Sequence, residues 1–196
     1  MGEGVMTREK IFIAAFTVFA RHGFEGARME QIASQVGINK ASLYFHFKSK
    51  EELFRELFQH VIKKYRAFIQ QIVAESEGLT LRTRLIAIYQ KYLNDSWDNI
   101  EMDFWNRIYY FPPAAMKQEI YRETYNTETD FLESLIPVFE AGITKGEMRP
   151  LDPRRVAKTF YYLLTCISLS ADLLSKSQGF NDMENCFSVF WEGIKP

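Results

Sequence analysis

The chain has 196 residues, of which 47% are hydrophobic and 25% charged, a composition typical of a globular protein. It contains no run of eighteen apolar residues, which argues against a membrane-spanning helix. Its first residues, MGEGVMTREK, lack the basic-then-apolar order of a secretory signal. The two cysteines, Cys166 and Cys186, do not form the even, regularly spaced set of a disulfide-stabilised protein. A cytoplasmic location is therefore expected.

Charge is distributed unevenly along the chain, although the formal net charge is only −1. Residues 1–66 contain eleven Lys and Arg against seven Asp and Glu, whereas residues 67–196 contain thirteen against eighteen. A basic segment attracts phosphates, so the N-terminal third is the candidate for contact with nucleic acid. The excess is too small to decide the point by itself.

Helical periodicity begins close to the N-terminus. Apolar side chains recur at helical spacing behind Thr7, the expected N-cap, and Gly23 is expected to end this first helix. A short second helix is predicted to stop at Gly37, and Asn39 is expected to cap a short third helix. Three short helices in this order indicate a small helical domain.

The rest of the chain also has helical patterning. Ser49 and Glu52 have capping-box spacing, which predicts a long fourth helix that ends near Gly78. Pro137 is expected to kink a later helix, and Asn181 is expected to open the last one. No alternating strand pattern competes, so an all-α fold is predicted. The remaining helices are predicted at about 81–97, 101–110, 114–144, 154–175 and 182–193.

The stretch GINKASLYFHFKSKEEL, residues 37–53, carries the strongest functional signal. Two short helices joined through residues 36–38 have the dimensions of a helix-turn-helix, and Gly37 permits the positive φ that its turn needs. On the third helix, Leu43 and Phe47 are expected to face inward. The start of this helix is then free to meet base edges, and its N-terminal amides can meet phosphate.

This run closely resembles the DNA-binding domain of the tetracycline-repressor (TetR) family, whose pattern is roughly I-A-x-x-x-G-V-x-x-x-x-L-Y-x-H-F-x-x-K-x-x-L. Ile38 stands in the place of the Val. The resemblance covers about residues 7–66 and implies a DNA-binding domain of three helices, with the helix-turn-helix at about 29–47. It also implies that residues 67–196 form a helical effector-binding and dimerisation domain. The matching positions are Ile32, Ala33, Gly37, Leu43, Tyr44, His46, Phe47, Lys50 and Leu53.

Two positions depart from the family pattern. The family usually has Thr or Ser before its second helix, where this chain has Ala27 and Arg28, so Arg28 is expected to contact a phosphate instead. Ala41 stands where Gly or Pro is common and is available for a thymine methyl group. Asn39, Lys40 and Ser42 are expected to read bases, whereas the residues expected to contact the DNA backbone are Tyr44, His46, Lys48 and Lys50. The full expected set of DNA contacts is Arg28, Asn39, Lys40, Ala41, Ser42, Tyr44, His46, Lys48 and Lys50.

The C-terminal part is rich in aromatic residues, most of which a helical bundle needs for its core. The stretch DFWNRIYYFPP places three polar residues among five aromatics, and ligand pockets combine apolar walls with a few polar groups. A small, apolar or aromatic effector is therefore expected. Its expected contacts are Phe104, Trp105, Arg107, Tyr109, Tyr125 and Tyr161.

The last two predicted helices have apolar faces that resemble the dimer-forming pair of the family. A homodimer is expected, because one helix-turn-helix reads only a few base pairs. The sequence leaves open how these faces divide between the subunit's own core and its partner. The interface is expected to include Phe160, Leu164, Ile167, Phe187, Phe190 and Trp191.

Catalytic signals are weak in this sequence. His22, His46 and His60 lack metal-site spacing, and no hydrolase or phosphate-loop motif is present. Neither an enzyme, a catalytic residue, a metal, a cofactor nor a membrane partner is expected. The expected function is that of a ligand-responsive transcriptional regulator, a repressor that a small effector releases from a palindromic operator in double-stranded DNA. Two alternatives stay open: a helical ligand-binding or scaffold protein whose helix-turn-helix no longer binds DNA, and an unrecognised helical enzyme, which turnover by the effector domain would reveal.

Overall fold

The computed structural model describes residues 2–96, 99–169 and 176–196. Over these residues the chain is α-helical, with one short 3-10 turn and no strand, which confirms the all-α prediction. The predicted helix ends at Trp97 and Ser175 lie outside the described residues. The elements are α1 (Gly2–Gly26), α2 (Met29–Val36), α3 (Lys40–His46), α4 (Lys50–Glu75), α5 (Leu81–Ser96), α6 (Ile100–Tyr110), the 3-10 turn (Ala114–Met116), α7 (Lys117–Thr144), α8 (Pro153–Leu169) and α9 (Lys176–Ile194).

Both ends of the helical chain differ from the sequence expectation. α1 begins at Gly2, so Thr7 lies inside the helix and is not its N-cap. Thr is only mildly unfavourable inside a helix, and no proline precedes it to end the helical backbone. α9 begins at Lys176, so Asn181 is likewise inside a helix. Its apolar side chains, including Phe180, pack against the core, and such packing outweighs a local capping signal.

The chain forms two compact units, and two of its helices contribute to both. The first unit comprises Met1–Lys64 and Ile100–Thr124, and the second comprises Tyr65–Asn99 and Tyr125–Pro196. α4 and α7 therefore each continue from one unit into the other. The first unit is larger than the helix-turn-helix segment, because it includes α6 and the start of α7.

α6 completes the core of the first unit. Phe104 is fully buried, with its ring centroid 5.3 Å from that of Phe16 on α1 and 5.2 Å from that of Phe54 on α4. Ile108, one turn further along α6, is buried in the same cluster. The three helices before α4 thus depend on a distant segment for part of their apolar burial.

The core of the second unit is built around aromatic side chains from α5, α7, α8 and α9. The Phe160 ring lies 5.7 Å from the Tyr89 ring and 6.1 Å from the Phe139 ring. The Tyr89 hydroxyl donates a hydrogen bond to the carbonyl oxygen of Leu163 at 3.0 Å, and burial raises the pKa of this phenol. Over the part of the chain that the structure describes, no helix has the length and apolarity that crossing a membrane requires.

Candidate nucleic-acid interface

The turn between α2 and α3 is closed by Gly37. Its backbone is left-handed, with φ of 77° and ψ of 28°, a conformation that glycine adopts without the steric penalty of a side chain. The amide of Gly37 donates to the Ser34 carbonyl at 3.2 Å, and the amide of Ile38 donates to the Ala33 carbonyl at 3.0 Å. These bonds satisfy the end of α2 and set the direction of the chain into α3.

The start of α2 is capped without a hydroxyl group. Arg28 occupies the N-cap position, and its guanidinium has no acceptor atom with which to cap the helix. Instead, the Gln31 side-chain oxygen accepts a hydrogen bond from the Arg28 amide at 2.8 Å, which is half of a capping box. The Arg28 side chain is exposed and has no capping role, so it remains available for an external ligand.

The start of α3 is fixed by Asn39, as expected. The Asn39 side-chain oxygen accepts a hydrogen bond from the Ser42 amide at 2.7 Å. The remaining side-chain NH2 group of Asn39 is a pair of donors at an exposed position. Lys40 and Ala41, the first two residues of the helix, are also exposed, whereas Ser42 is half-buried. The candidate base-reading residues therefore share one rigid helix start.

Lys40 forms an ion pair with Glu30 on α2. Hydrogen bonding to the Lys40 ammonium holds the pKa of the Glu30 carboxyl below its usual value, and the same bond raises the pKa of Lys40. The ammonium also lies 5.7 Å from the centroid of the Tyr44 ring. The contacts of Lys40 with Glu30 and Tyr44 link α2 to the first turn of α3 across the surface of the helix-turn-helix.

The middle of α3 divides its side chains between core and surface. Leu43 and Phe47 are fully buried, which confirms their expected inward direction. Tyr44 is exposed, and His46 is half-buried. Phe45 is 88% exposed, and sequence reasoning missed it as a candidate contact. The available signal was its position between two expected contacts and midway between the two inward-facing residues.

The two lysines that follow α3 differ in their surroundings. Lys48 is exposed. The Lys50 ammonium donates to the carbonyl oxygens of Phe24 at 2.7 Å and Ala27 at 3.1 Å, and it lies 4.4 Å from the centroid of the Phe24 ring. Lys50 therefore holds the connection between α1 and α2, and only one of its three N–H donors is left for a phosphate.

Four of the residues expected to contact an effector belong to the first unit. Phe104 is a core residue, and Trp105 stacks on Phe58 with ring centroids 6.2 Å apart. The Arg107 guanidinium packs against Gly23, where a β-carbon would lie 3.1 Å from one of its nitrogens. Gly23 has φ of 67°, which interrupts the helical backbone of α1. The contact with Arg107 of α6 lies at this interruption. Tyr109 is exposed in the same unit, whereas Tyr125 and Tyr161 belong to the second unit.

The residues expected at the dimer interface are mostly in the subunit's own core. Only Trp191 of the six is half-buried, and the other five are buried in the core cluster of the second unit. The faces of α8 and α9 that remain exposed carry Tyr162, Cys166 and Val189, the last with 75% of its surface exposed. The core of the subunit itself therefore includes Phe160, Leu164, Ile167, Phe187 and Phe190.

A cavity of ≈ 260 Å³ lies between α4 and α7 within the second unit. The Tyr65 and Tyr92 hydroxyls are hydrogen-bonded at 3.2 Å on one side, and burial raises the pKa of Tyr65. An Arg66–Asp130 ion pair at 2.6 Å also contributes to the lining. The cavity is lined by Tyr65, Arg66, Ile69, Gln70, Thr127, Asp130, Phe131, Glu133 and Ser134.

An all-α chain with an exposed, rigidly capped recognition helix defines a helix-turn-helix protein. The family model for bacterial regulatory proteins of the TetR family matches residues 11–57. Over a longer stretch, the chain is 30% identical to the transcriptional repressor KstR2 of Rhodococcus jostii across 144 residues, which are 72% of this chain and 68% of that protein. The chain belongs to the TetR family.

Two further comparisons define how far the similarity extends. The chain is 34% identical over 62 residues to the negative transcriptional regulator IcaR of Staphylococcus epidermidis, a match that covers 32% of this chain but only 34% of that protein. A transcriptional regulator from Saccharomonospora viridis in complex with choline shares the fold, with a TM-score of 0.78 at 19% identity, covering 98% of this chain and 99% of that one.

Proposed function

We propose that the protein is a dimeric transcriptional repressor that binds operator DNA through α3 and is released by a small effector. The observation that carries the proposal is the start of α3, where Asn39 fixes the helix while Lys40 and Ala41 remain exposed. A rigid helix start with exposed donors is the part of a helix-turn-helix that meets base edges in the major groove. Arg28 and Lys48 flank it with exposed positive charge for the DNA backbone.

The proposed dimer uses the exposed faces of α8 and α9. Val189 and Gly193 on α9 and Thr159 on α8 line one shallow groove on this surface, which has the small and apolar side chains that close helix packing needs. Two copies related by a two-fold axis would present two recognition helices to half-sites about 34 Å apart. A palindromic operator follows from that symmetry.

The proposed effector site is the cavity between α4 and α7. Its volume is below the range of about 300–1,000 Å³ that is usual for drug-sized ligands, so a small metabolite fits it better than a long-chain one. A fold neighbour solved with choline supports a small ligand in this architecture. Because α4 and α7 both continue into the first unit, a ligand between them acts on helices that also build the DNA-binding core. Effector binding would then favour an arrangement that fits the operator poorly.

Filling the cavity tests this assignment. Gln70→Trp places a large side chain at the lining, whereas Gln71→Trp makes the same change one position along α4, outside the lining. Small metabolites that raise the melting temperature of the wild-type protein are identified by thermal-shift screening. The shift is expected to vanish in Gln70→Trp and to persist in Gln71→Trp. Equal shifts in all three proteins would place the effector elsewhere.

The DNA-facing role of α3 is tested by Tyr44→Ala. A phenol hydroxyl and ring that contact the DNA backbone carry no sequence information, so operator and random DNA should both bind about tenfold more weakly. The measurement is fluorescence anisotropy with labelled duplexes, with light scattering to show that the dimer persists. Tyr121→Ala, which also removes an exposed tyrosine of the first unit, is the control and should bind as the wild type does. Unchanged affinity of Tyr44→Ala would remove Tyr44 from the interface.

A further inference from the structure

A carboxylate lies within the surface that we assign to DNA. Glu30 is on α2, its ion-pair partner Lys40 opens α3, and the Arg28 charge is close enough to help lower the pKa of the Glu30 carboxyl. The side chains of Lys40 and Glu30 are 53% and 55% exposed. Both cations around Glu30 are expected DNA contacts, so the carboxylate sits where phosphates would approach.

Stability does not explain this placement. An ion pair with both partners exposed to water contributes little to folding, because solvent screens the attraction and two long side chains must be ordered. Near DNA the same carboxylate is unfavourable, since a phosphate must compete with it for the Lys40 ammonium. Glu30 therefore lowers the affinity for DNA, and it lowers most the affinity for DNA that is bound through phosphates alone.

We propose that Glu30 is a specificity-determining positioning residue that withholds Lys40 from phosphates and leaves it available to a base; this inference rests on the proposed function. An ammonium has three N–H donors and is not saturated by one carboxylate. On the operator, a guanine that presents its O6 and N7 acceptors beside Glu30 receives donors from Lys40 without breaking the ion pair. On random DNA, the phosphates gain Lys40 only by displacing Glu30.

The variant Glu30→Gln removes the charge and keeps the side-chain shape. Affinity for random DNA is expected to rise about fivefold, the size of effect that one exposed charge pair supplies, while affinity for the operator changes less. The ratio of operator to random affinity therefore falls. The salt dependence on random DNA is expected to steepen by about one unit of log K against log salt, as one further cation becomes available to phosphates.

The experiment is an anisotropy titration of the dimer of this chain on a selected operator and on a random duplex at several salt concentrations. Four proteins are compared with the wild type: Glu30→Gln, Lys40→Gln, the double variant, and Glu119→Gln. Glu119 pairs with Arg55 in the same unit and controls for the change in net charge. If Glu30 acts through Lys40, the effect of Glu30→Gln disappears when Lys40 is already Gln.

Each outcome decides the inference. A lower affinity ratio in Glu30→Gln, absent in the Lys40→Gln background and absent in Glu119→Gln, supports it. The same fall in affinity ratio in the Lys40→Gln background would show that Glu30 repels DNA by itself. An unchanged ratio of operator to random affinity in Glu30→Gln would make the Glu30–Lys40 pair an ordinary surface contact. Either result overturns the inference and leaves the proposed function intact. A wild-type protein that prefers no DNA sequence would overturn both the inference about Glu30 and the proposed function.

Discussion

Replacing Phe104 by alanine is expected to lower the free energy of unfolding by about 3–5 kcal/mol, the range for truncating a buried phenylalanine. Its ring contacts Phe16 on α1 and Phe54 on α4, so the cavity would open in the core that supports the helix-turn-helix. DNA binding should weaken in parallel, although Phe104 is more than fifty positions from the recognition helix in the sequence. Urea denaturation followed by circular dichroism measures the first effect, and anisotropy the second.

Phe111→Ala is the matched control for Phe104→Ala. Phe111 lies in the same aromatic segment but is largely exposed, so its loss should change stability by no more than about 0.5 kcal/mol. If both variants unfold at the same urea concentration as the wild type, α6 does not complete the core of the first unit.

Replacing Lys50 by methionine is expected to destabilise the protein by about 3 kcal/mol or more. The ammonium makes two hydrogen bonds to backbone carbonyls, and bonds from a charged donor contribute about 1.5–3 kcal/mol each, while methionine retains most of the apolar stem. The lost bonds also hold the segment that leads to Arg28, so operator affinity should fall with stability. Thermal and urea unfolding measure the first change, and anisotropy at fixed salt measures the second.

Lys48→Met separates a structural lysine from a phosphate-binding one. Lys48 is exposed, so its removal should leave stability unchanged and reduce the salt dependence of DNA binding by about one unit per subunit. If Lys50→Met is instead as stable as the wild type and only the salt dependence of its DNA binding is reduced, Lys50 acts solely as a phosphate contact.

The helix-turn-helix was predictable because its signals are local. Gly37 supplies a positive φ, Asn39 caps the next helix, and Leu43 and Phe47 are one turn apart on its inner face. Each of these can be recognised within a few residues of sequence. The absence of a cap hydroxyl before α2 was also visible, but the hydrogen bond from the Arg28 amide to the Gln31 side-chain oxygen was not.

The features that the sequence did not reveal depend on distant contacts. The aromatic pattern of α6 is the same whether Phe104 faces a ligand or Phe54, and only the tertiary structure decides between them. The apolar stripes of α8 and α9 equally suit a core or a partner, and burial of Phe160 and Leu164 assigns them to the core. Lys50 has the spacing of a phosphate contact, yet its carbonyl partners lie more than twenty residues earlier.

The central claim, that α3 reads DNA sequence, is tested most directly by titrating the purified protein with a duplex selected from random DNA and with a scrambled duplex, across a range of salt. Sequence-selective binding at least about a thousandfold tighter than to the scrambled duplex is expected. Arg28 and Lys48 of two subunits also predict a slope of about −4 in log K against log salt. Equal and weak binding to both duplexes, after selection has failed to enrich any sequence, would contradict the claim.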